Sequence, residues 1–127
     1  MRIRDFTTAV ETATNEEIDA ALEKRYEGNT NAFWLSHGDA KYPALLVMVE
    51  GPLASLHYFP RDRDAGLRSR AEAKAVTSDS FVTFHTSPRE KQDLLGDSVV
   101  AVETAIDVAK EFSRTRTLPT RIQWMGL

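Results

Sequence analysis

Hydrophobic residues recur with helical spacing in a first stretch of the chain, at Ile18, Ala21, Leu22 and Tyr26. Positions i, i+3, i+4 and i+8 share one face of a helix, so this spacing predicts a helix over Asn15–Tyr26. Thr14 and Glu17 have the form of a capping box at its start. Lys24-Arg25 supply the basic charge that a last helical turn favours, and Gly28 is a stop signal.

A second helical stripe lies towards the C-terminus, at Val102, Ala105, Ile106, Ala109 and Phe112. This stripe predicts a helix over Glu103–Arg114. Pro119 lies a few residues beyond and prevents the helix from continuing.

Strand patterns fill most of the remaining chain. Strands are predicted at Arg2–Phe6, Ala32–His37, Leu45–Glu50, Leu53–Phe59, Leu67–Ala75, Ser80–Thr86 and Arg121–Met125. Leu45–Glu50 is apolar almost throughout, as a central strand covered on both faces would be. Gly51-Pro52 is a tight-turn signal, so this strand and the next are expected to form a hairpin. Ala32–His37 alternates instead, with Phe33 and Leu35 on the same side.

The order of these elements predicts the α+β class. The expected fold is an antiparallel β-sheet of about six strands with two packed helices, in the order β-α-β-β-β-β-β-α-β. No internal repeat, low-complexity tract or linker interrupts residues 1–127, so we expect a single domain.

Composition and charge narrow the class of protein. Hydrophobic residues make up 42% and charged residues 28% of the chain, which is typical of soluble globular proteins. Cysteine is absent, which fits a cytosolic protein. The N-terminus lacks a signal-peptide pattern and Ala44–Val49 is too short to span a bilayer, so we expect a cytoplasmic location without membrane contact. A net charge of −3 without a basic stripe argues against direct nucleic-acid binding.

Motifs for catalysis or metal binding are absent from the sequence. His37, His57 and His85 lie far apart and outside any zinc-ligand spacing, so each is expected to be a surface or half-buried strand residue. Asp62 and Asp64 are expected in a solvated turn rather than in acid–base catalysis. We therefore expect no metal, no cofactor and no enzymatic activity.

Two groups of residues allow both a structural and a functional interpretation. Five aromatic residues suit either a ligand pocket or, more often on strands, a packed core: Trp34, Tyr42, Tyr58, Phe59 and Trp124. The acids of the first helix either face water or meet a basic surface on a partner, since charge complementarity guides encounter.

The C-terminal third carries a recognisable order of short motifs: Val99-Val100-Ala101-Val102-Glu103, Ala105, Ala109, Glu111-Phe112, and Leu118-Pro119-Thr120-Arg121-Ile122-Gln123-Trp124. The middle of the chain adds Tyr42–Val47, the Gly51 turn, Ala54–Pro60 and Val82-x-Phe84. From Trp34 onward this arrangement resembles immunity protein family one of bacterial polymorphic toxin systems. Met125-Gly126 stands where members of that family often place an acid after the last tryptophan.

The resemblance implies an α+β antidote that binds a cognate toxin encoded by the adjacent gene, commonly a nucleic-acid deaminase. Such an antidote acts without a cofactor, and an acidic surface over the toxin's active site would exclude the phosphates of the substrate. A small-ligand-binding domain, or a chaperone or adaptor for secreted effectors, is the alternative. A deep apolar pocket containing His57 or His85 would favour the small-ligand alternative.

Seven acidic residues are the expected toxin-binding residues: Glu16, Asp19 and Glu23 on the first helix, Asp62 and Asp64 in the loop Pro60–Gly66, and Glu90 and Asp93 in the loop Ser87–Asp97. Loops on a rigid scaffold commonly carry recognition. The aromatic strand face around Trp34 is the next choice. Phe112 and Trp124 are expected to be structural.

Overall fold

The computed structural model describes residues 1–71, 76–77 and 79–127. Its helices are α1 (Asn15–Leu22) and α2 (Val102–Thr115), with a 3₁₀ helix at Gly96–Ser98. Its strands are β1 (Arg2–Arg4), β2 (Ala9–Glu11), β3 (Thr30–Ser36), β4 (Ala44–Glu50), β5 (Leu53–Phe59), β6 (Leu67–Arg70), β7 (Phe81–His85), β8 (Lys91–Leu95), β9 (Val100–Ala101) and β10 (Gln123–Gly126).

The main sheet is antiparallel, in the order β10-β6-β5-β4-β3-β1-β2, and the short β9 pairs with β5. β4 lies at its centre, where Val47 is opposite Phe33 of β3 and Leu56 of β5. Every residue of β4 except Glu50 is buried, because both faces of the strand are covered. The α+β class, the antiparallel sheet, the central strand and the β4–β5 hairpin are therefore confirmed.

Both helices pack on the same face of this sheet, which we call the helix face. Ile18 and Leu22 of α1 are buried there, as are Ala105, Val108, Ala109 and Phe112 of α2. They pack against alternate residues of the central strands, such as Phe33, Val47 and Leu56, because strand side chains alternate between faces. The apolar stripe predicted for each helix is the side that faces the sheet.

The opposite face of the sheet, which we call the outer face, is partly covered by the β7–β8 hairpin. Phe84 and Leu94 of the hairpin form a second core cluster with Ala32, Leu46 and Met48. β7 and β8 pair with each other in a separate two-stranded sheet. The remainder of the outer face is less protected, and aromatic side chains there are only half-buried.

The end of α1 differs from the prediction. The helix stops at Leu22 and not at Tyr26, so Lys24-Arg25 do not form its last turn. The Tyr26 N–H donates to the Thr30 carbonyl at 2.9 Å, and Gly28 has a φ of 84°, a left-handed conformation. The chain has therefore begun its reversal into β3 before the predicted stop signal is reached.

Three short strands, β2, β8 and β9, were not predicted. Because β8 and β9 lie between the helices, seven strands and not five separate α1 from α2 in the described part of the chain. The prediction of a loop over Ser87–Asp97 is wrong, because β8 and the 3₁₀ helix occupy much of it. Polar and apolar residues do not alternate along Lys91–Leu95, so the sequence carries no strand signal there. In the structure only Leu94 of this strand is buried. The strand is defined by its pairing with β7.

Several strand boundaries also differ from the prediction: β1 ends at Arg4 and not at Phe6, and β3 and β7 are shifted or shortened by one or two residues at their ends. β6 ends at Arg70, whereas the predicted strand reached Ala75, and residues 72–75 lie outside the described residues. β10 begins at Gln123, so Ile122 precedes the strand that was predicted to contain it, although its side chain is buried as expected.

Candidate functional site

The seven acids predicted to bind a partner lie in three separate groups. Glu16, Asp19 and Glu23 belong to α1 and its C-cap, on the helix face. The second group is in the β5–β6 loop and the third in the β7–β8 hairpin, which covers the outer face. The fold therefore does not bring all seven together on one side of the sheet.

The acids of α1 differ in what they contact. Asp19 Oδ1 lies 2.8 Å from Lys110 Nζ, in an ion pair that joins the two helices. Glu16 and Glu23 are exposed and belong to no ion pair among the described residues. Two of the three helix acids are thus free to meet a partner.

Of the two acids in the β5–β6 loop, one has partners within the protein and the other has none among the described residues. Asp64 accepts a hydrogen bond from the Gly66 N–H at 2.8 Å and lies 3.2 Å from Arg61 Nη2, so it shapes its own turn as expected. Asp62 is exposed and carries no such contact in the described chain. It is the available carboxylate of this loop.

In the hairpin, Asp93 accepts a hydrogen bond from Thr83 Oγ1 across the strand pair at 2.6 Å. Glu90 lies in the turn, where its backbone N–H donates to Ser87 Oγ at 3.1 Å. Its carboxylate is exposed. Of the two hairpin acids, Glu90 is therefore the one whose carboxylate has no partner among the described residues.

A cleft of about 440 Å³ lies between α1 and the β1–β2 hairpin. Its apolar lining comes mainly from Ile3, Val10, Ala20, Ala21 and Phe33, and its polar lining includes Asp5, Thr8, Glu11, Thr12, Glu17 and Lys24. Val10 is 46% exposed, which is unusual for a large apolar side chain. The sequence did not reveal this cleft, because β2 is a three-residue strand without a recognisable pattern.

Asp5 fixes one wall of the cleft. Its carboxylate accepts hydrogen bonds from the backbone N–H groups of Thr7 and Thr8, at 3.0 and 2.9 Å, and from the hydroxyl of Tyr26 at 3.0 Å. Burial raises the pKa of Asp5, but these hydrogen bonds outweigh burial and leave its pKa below the usual value. The ionised carboxylate thus ties the β1–β2 turn to the segment that follows α1.

Glu17 fixes the start of the opposite wall. Its side chain accepts hydrogen bonds from the N–H groups of Ala13 and Thr14, while its own N–H donates to Thr14 Oγ1 at 3.2 Å. The predicted capping box is therefore confirmed. The hydrogen bond from Ala13 is the main reason why the pKa of Glu17 is lowered.

The cleft has an acidic character. Three of its lining residues are carboxylic acids, Asp5, Glu11 and Glu17, against one lining base, Lys24, which lies 3.8 Å from Asp5. The N-terminal ammonium lies 3.9 Å from Glu11 and is a second positive charge nearby. The exposed acid Glu16 is adjacent to this lining on α1. An apolar floor with carboxylates around it suits a long basic side chain, because arginine and lysine bury an aliphatic stem and keep a charged head.

The histidines have structural surroundings. His57 Nε2 donates to the Ala65 carbonyl at 2.7 Å and its ring stacks on Phe59, while burial lowers its pKa. His37 contacts the Phe112 ring, and burial lowers its pKa too. His85 lies 3.7 Å from Glu50. Across the described ranges, no cluster of three or more histidine, cysteine or acidic residues is able to hold a metal ion.

The aromatic residues divide between core and surface. Tyr58 is buried on the helix face, with its ring 6.2 Å from that of Phe112. Trp34, Tyr42 and Phe59 are half-buried, and the rings of Trp34 and Phe59 stack at 5.6 Å. The core interpretation thus holds for Tyr58, whereas Trp34 and Tyr42 line a second surface groove on the outer face.

The C-terminal motif forms a closed structural unit. Glu111 accepts hydrogen bonds from the N–H groups of Thr120 and Arg121, at 2.6 and 3.0 Å. Trp124 Nε1 donates to the Pro119 carbonyl at 2.8 Å, and Phe112 is fully buried. These contacts hold the chain segment between α2 and β10 in place, so the motif stabilises the fold.

Neither of the two clefts is lined by His57 or His85, the residues whose presence in a deep apolar pocket would favour a small-ligand-binding domain. Neither described helix has the length and apolar character that a membrane span needs. The described residues form a closed scaffold with a charged surface cleft on each side of β1.

The comparison with known families agrees with this description. The family model described as Immunity protein Imm1 matches residues 7–126, so the chain belongs to the Imm1 family of immunity proteins. A relative from Burkholderia cenocepacia named double-stranded DNA deaminase immunity protein is 23% identical over 123 residues, which cover 97% of each chain. The family resemblance of the sequence is thereby confirmed.

Proposed function

We propose that this protein neutralises a nucleic-acid deaminase toxin by binding over the toxin's active site. The observation that carries the proposal is the match to immunity proteins along nearly the whole chain, including a relative of equal extent whose name specifies a double-stranded DNA deaminase. The protein itself has no catalytic role in this account. It acts in the cytoplasm, and its toxin is encoded by the adjacent gene.

The acidic cleft supports this proposal on electrostatic grounds. An enzyme that modifies DNA presents lysine and arginine side chains to the phosphates of its substrate. Glu16 and Glu23 on α1, together with the cleft beside them, offer carboxylates to such side chains. A protein seated there excludes the substrate sterically and replaces its phosphates with carboxylates.

The other predicted acids have graded roles in this proposal. Asp62 and Glu90 are exposed and supply additional rim charges, which mainly raise the rate of encounter. Asp19, Asp64 and Asp93 already have partners within the chain, so they act by holding the surface in shape. An interface of about 800 Å² per partner is needed for stable binding, so contacts outside the cleft are required.

A co-expression experiment tests the proposal. The toxin encoded by the adjacent gene is expressed in a bacterial host, alone and together with this protein. We expect the toxin alone to arrest growth and to raise the frequency of deamination mutations, and we expect co-expression to restore both to the level of cells without toxin. A catalytically inactive toxin is expected to co-purify with the protein in a one-to-one complex.

Two results would contradict the proposal. Growth arrest that persists at equal expression levels shows that the protein is not the antidote of this toxin. A complex purified with the active toxin that deaminates DNA at the rate of the free toxin shows that the protein is an adaptor or chaperone.

A further inference from the structure

A second groove lies on the outer face of the sheet, with a volume of about 470 Å³. β1 and β3 form its floor, where Arg4 is directly opposite Trp34 and Arg2 is opposite Ser36. The loop between β3 and β4 forms its wall, and includes Lys41 and Tyr42. The two arginines, Trp34 and Ser36 thus share one face of two paired strands.

The charge of this groove is opposite to that of the cleft on the helix face. Arg2, Arg4 and Lys41 stand against a single acid, Asp39. All three basic side chains are exposed, and none takes part in an ion pair within the described ranges. The lining residues of the groove therefore carry a net positive charge.

The residue types of the groove are those of an interface core. Tryptophan, tyrosine and arginine are enriched among the residues that contribute most to protein–protein binding energy, especially where they are partly desolvated. Trp34 and Tyr42 are half-buried, and Trp34 is braced by its stacking contact with Phe59. A side chain held in place before binding loses little conformational entropy when a partner arrives.

The two clefts adjoin each other across the edge of the sheet. Ile3 of β1 lines the acidic cleft, while its neighbours Arg2 and Arg4 line the basic groove, because successive strand residues point to opposite faces. β2, the terminal strand of the sheet, is exposed along its whole length and lines the acidic cleft with Val10 and Glu11. A partner that holds this edge meets an acidic surface on one side and a basic surface on the other.

We propose that the basic groove of Arg2, Arg4, Lys41, Trp34 and Tyr42 receives an acidic segment of the same toxin whose basic surface meets the acidic cleft. This inference rests on the proposed function and adds a second contact of opposite charge. Opposite charges on the two sides of one edge fix the orientation of the toxin, since a reversed complex would place like charges together.

A protein segment fits the groove better than a nucleic acid does. The chain as a whole carries a net charge of −3, and the acidic cleft on the other side of the same strand repels a long phosphate backbone. A short acidic segment of a folded partner avoids that repulsion, because its own basic surface neutralises the cleft.

The test uses the catalytically inactive toxin encoded by the adjacent gene and two matched double variants. Arg2→Glu/Arg4→Glu reverses the groove, and Arg89→Glu/Lys91→Glu makes the same charge change on exposed residues of the β7–β8 hairpin. Binding is measured by calorimetry at low and high salt, after circular dichroism has shown native secondary structure. We expect the groove variant to bind about 30-fold more weakly and the hairpin variant to bind within about threefold of wild type.

The outcomes separate this inference from the proposed function. Equal, tight binding by wild type and by the groove variant would overturn the inference alone. No binding by wild type would overturn the proposed function and this inference with it. A single-stranded DNA oligonucleotide is the second probe: oligonucleotide binding by wild type that disappears in the groove variant, with toxin binding unchanged, would assign the groove to nucleic acid.

Discussion

Asp19 of α1 and Lys110 of α2 form an ion pair with an Oδ1–Nζ distance of 2.8 Å, which connects the two helices on one face of the sheet. The Asp19 side chain is 45% exposed and that of Lys110 is 22% exposed, so water weakens the pair without removing it. Asp19, which the sequence predicts as a contact for a partner, therefore also stabilises the packing of the two helices. Any loss of binding on its substitution has to be corrected for a change in helix packing.

Replacement of Asp19 measures this internal role. We expect Asp19→Ala to lower the free energy of unfolding by about 0.5–1 kcal/mol, the range for partly exposed ion pairs, and to do so less at high salt. Glu23→Ala is the control, because Glu23 is exposed and unpaired in the described chain, and should change stability by less than about 0.5 kcal/mol. Urea unfolding curves give both values, and equal stabilities of the two variants would contradict the assignment.

The acidic cleft gives a prediction about binding. Glu16→Lys/Glu23→Lys is expected to weaken the complex with inactive toxin by about tenfold or more, because the new lysines repel a basic surface. Asp62→Lys/Glu90→Lys carries the same charge change on the loop and hairpin and should mainly slow association. Surface plasmon resonance separates the two rates. If the loop variant loses more affinity than the helix variant, the main contact lies away from α1.

The hydrogen bonds to the Glu111 carboxylate lead us to expect that the stability of the fold depends on pH. Burial raises its pKa, but the hydrogen bonds from Thr120 and Arg121 outweigh burial, and the folded-state pKa lies below the usual 4.5. A carboxylate with a lowered folded-state pKa stabilises the fold at pH values above its unfolded pKa, and this contribution is lost as the pH falls through the folded value. Glu111→Gln should therefore reduce stability at pH 7 and have a smaller effect under acidic conditions.

The measurement for Glu111 is chemical unfolding of both proteins between pH 7 and pH 3. The difference between wild type and Glu111→Gln is expected to shrink on acidification below the usual carboxyl pKa. Glu103→Gln is the matched control on α2, since Glu103 is exposed and forms no side-chain hydrogen bond or ion pair within the described ranges. A difference for Glu111→Gln that stays constant over this pH range would show that its carboxylate charge does not hold the loop.

Phe112 and Trp124 are predicted to matter for stability rather than for binding. Phe112→Ala should cost about 3–5 kcal/mol, because the side chain is fully buried. Trp124 is only half-buried, so we expect about 3 kcal/mol for Trp124→Ala and about 1 kcal/mol for Trp124→Phe, which removes the hydrogen bond to Pro119. Thermal unfolding of the three variants checks the order of these losses of stability. Full stability of Trp124→Ala with weakened toxin binding would make Trp124 a contact residue.

Much of the fold was predictable because its main elements carry strong periodicity. β4 is apolar along its length and α2 has a complete stripe, so both were assigned from the sequence. β2 and β8 are short or polar, with one buried residue or none, and they exist through pairing with a neighbouring strand. Local sequence contains no record of such pairing.

The candidate site was harder to predict for a related reason. The sequence identified exposed acids, but it gave no sign that Asp19 pairs with Lys110 or that Asp93 bonds to Thr83, since these partners lie on other elements. The acidic cleft depends on β2, which was missed, and the basic groove depends on the pairing of β1 with β3 and on the loop between β3 and β4. The C-terminal motif was recognised as a sequence, whereas its role in holding the loop before β10 required the positions of Glu111 and Thr120.

The most direct test of the central claim is a titration of active deaminase toxin with this protein in a DNA deamination assay. With toxin far above the dissociation constant of the complex, we predict that activity falls to zero at one equivalent of protein. With toxin far below that constant, we predict that the protein concentration needed for half inhibition rises with the DNA concentration, because protein and DNA compete for the same surface. Inhibition that is complete but independent of DNA concentration would contradict occlusion of the active site. Undiminished deamination with several equivalents of protein would contradict the account as a whole.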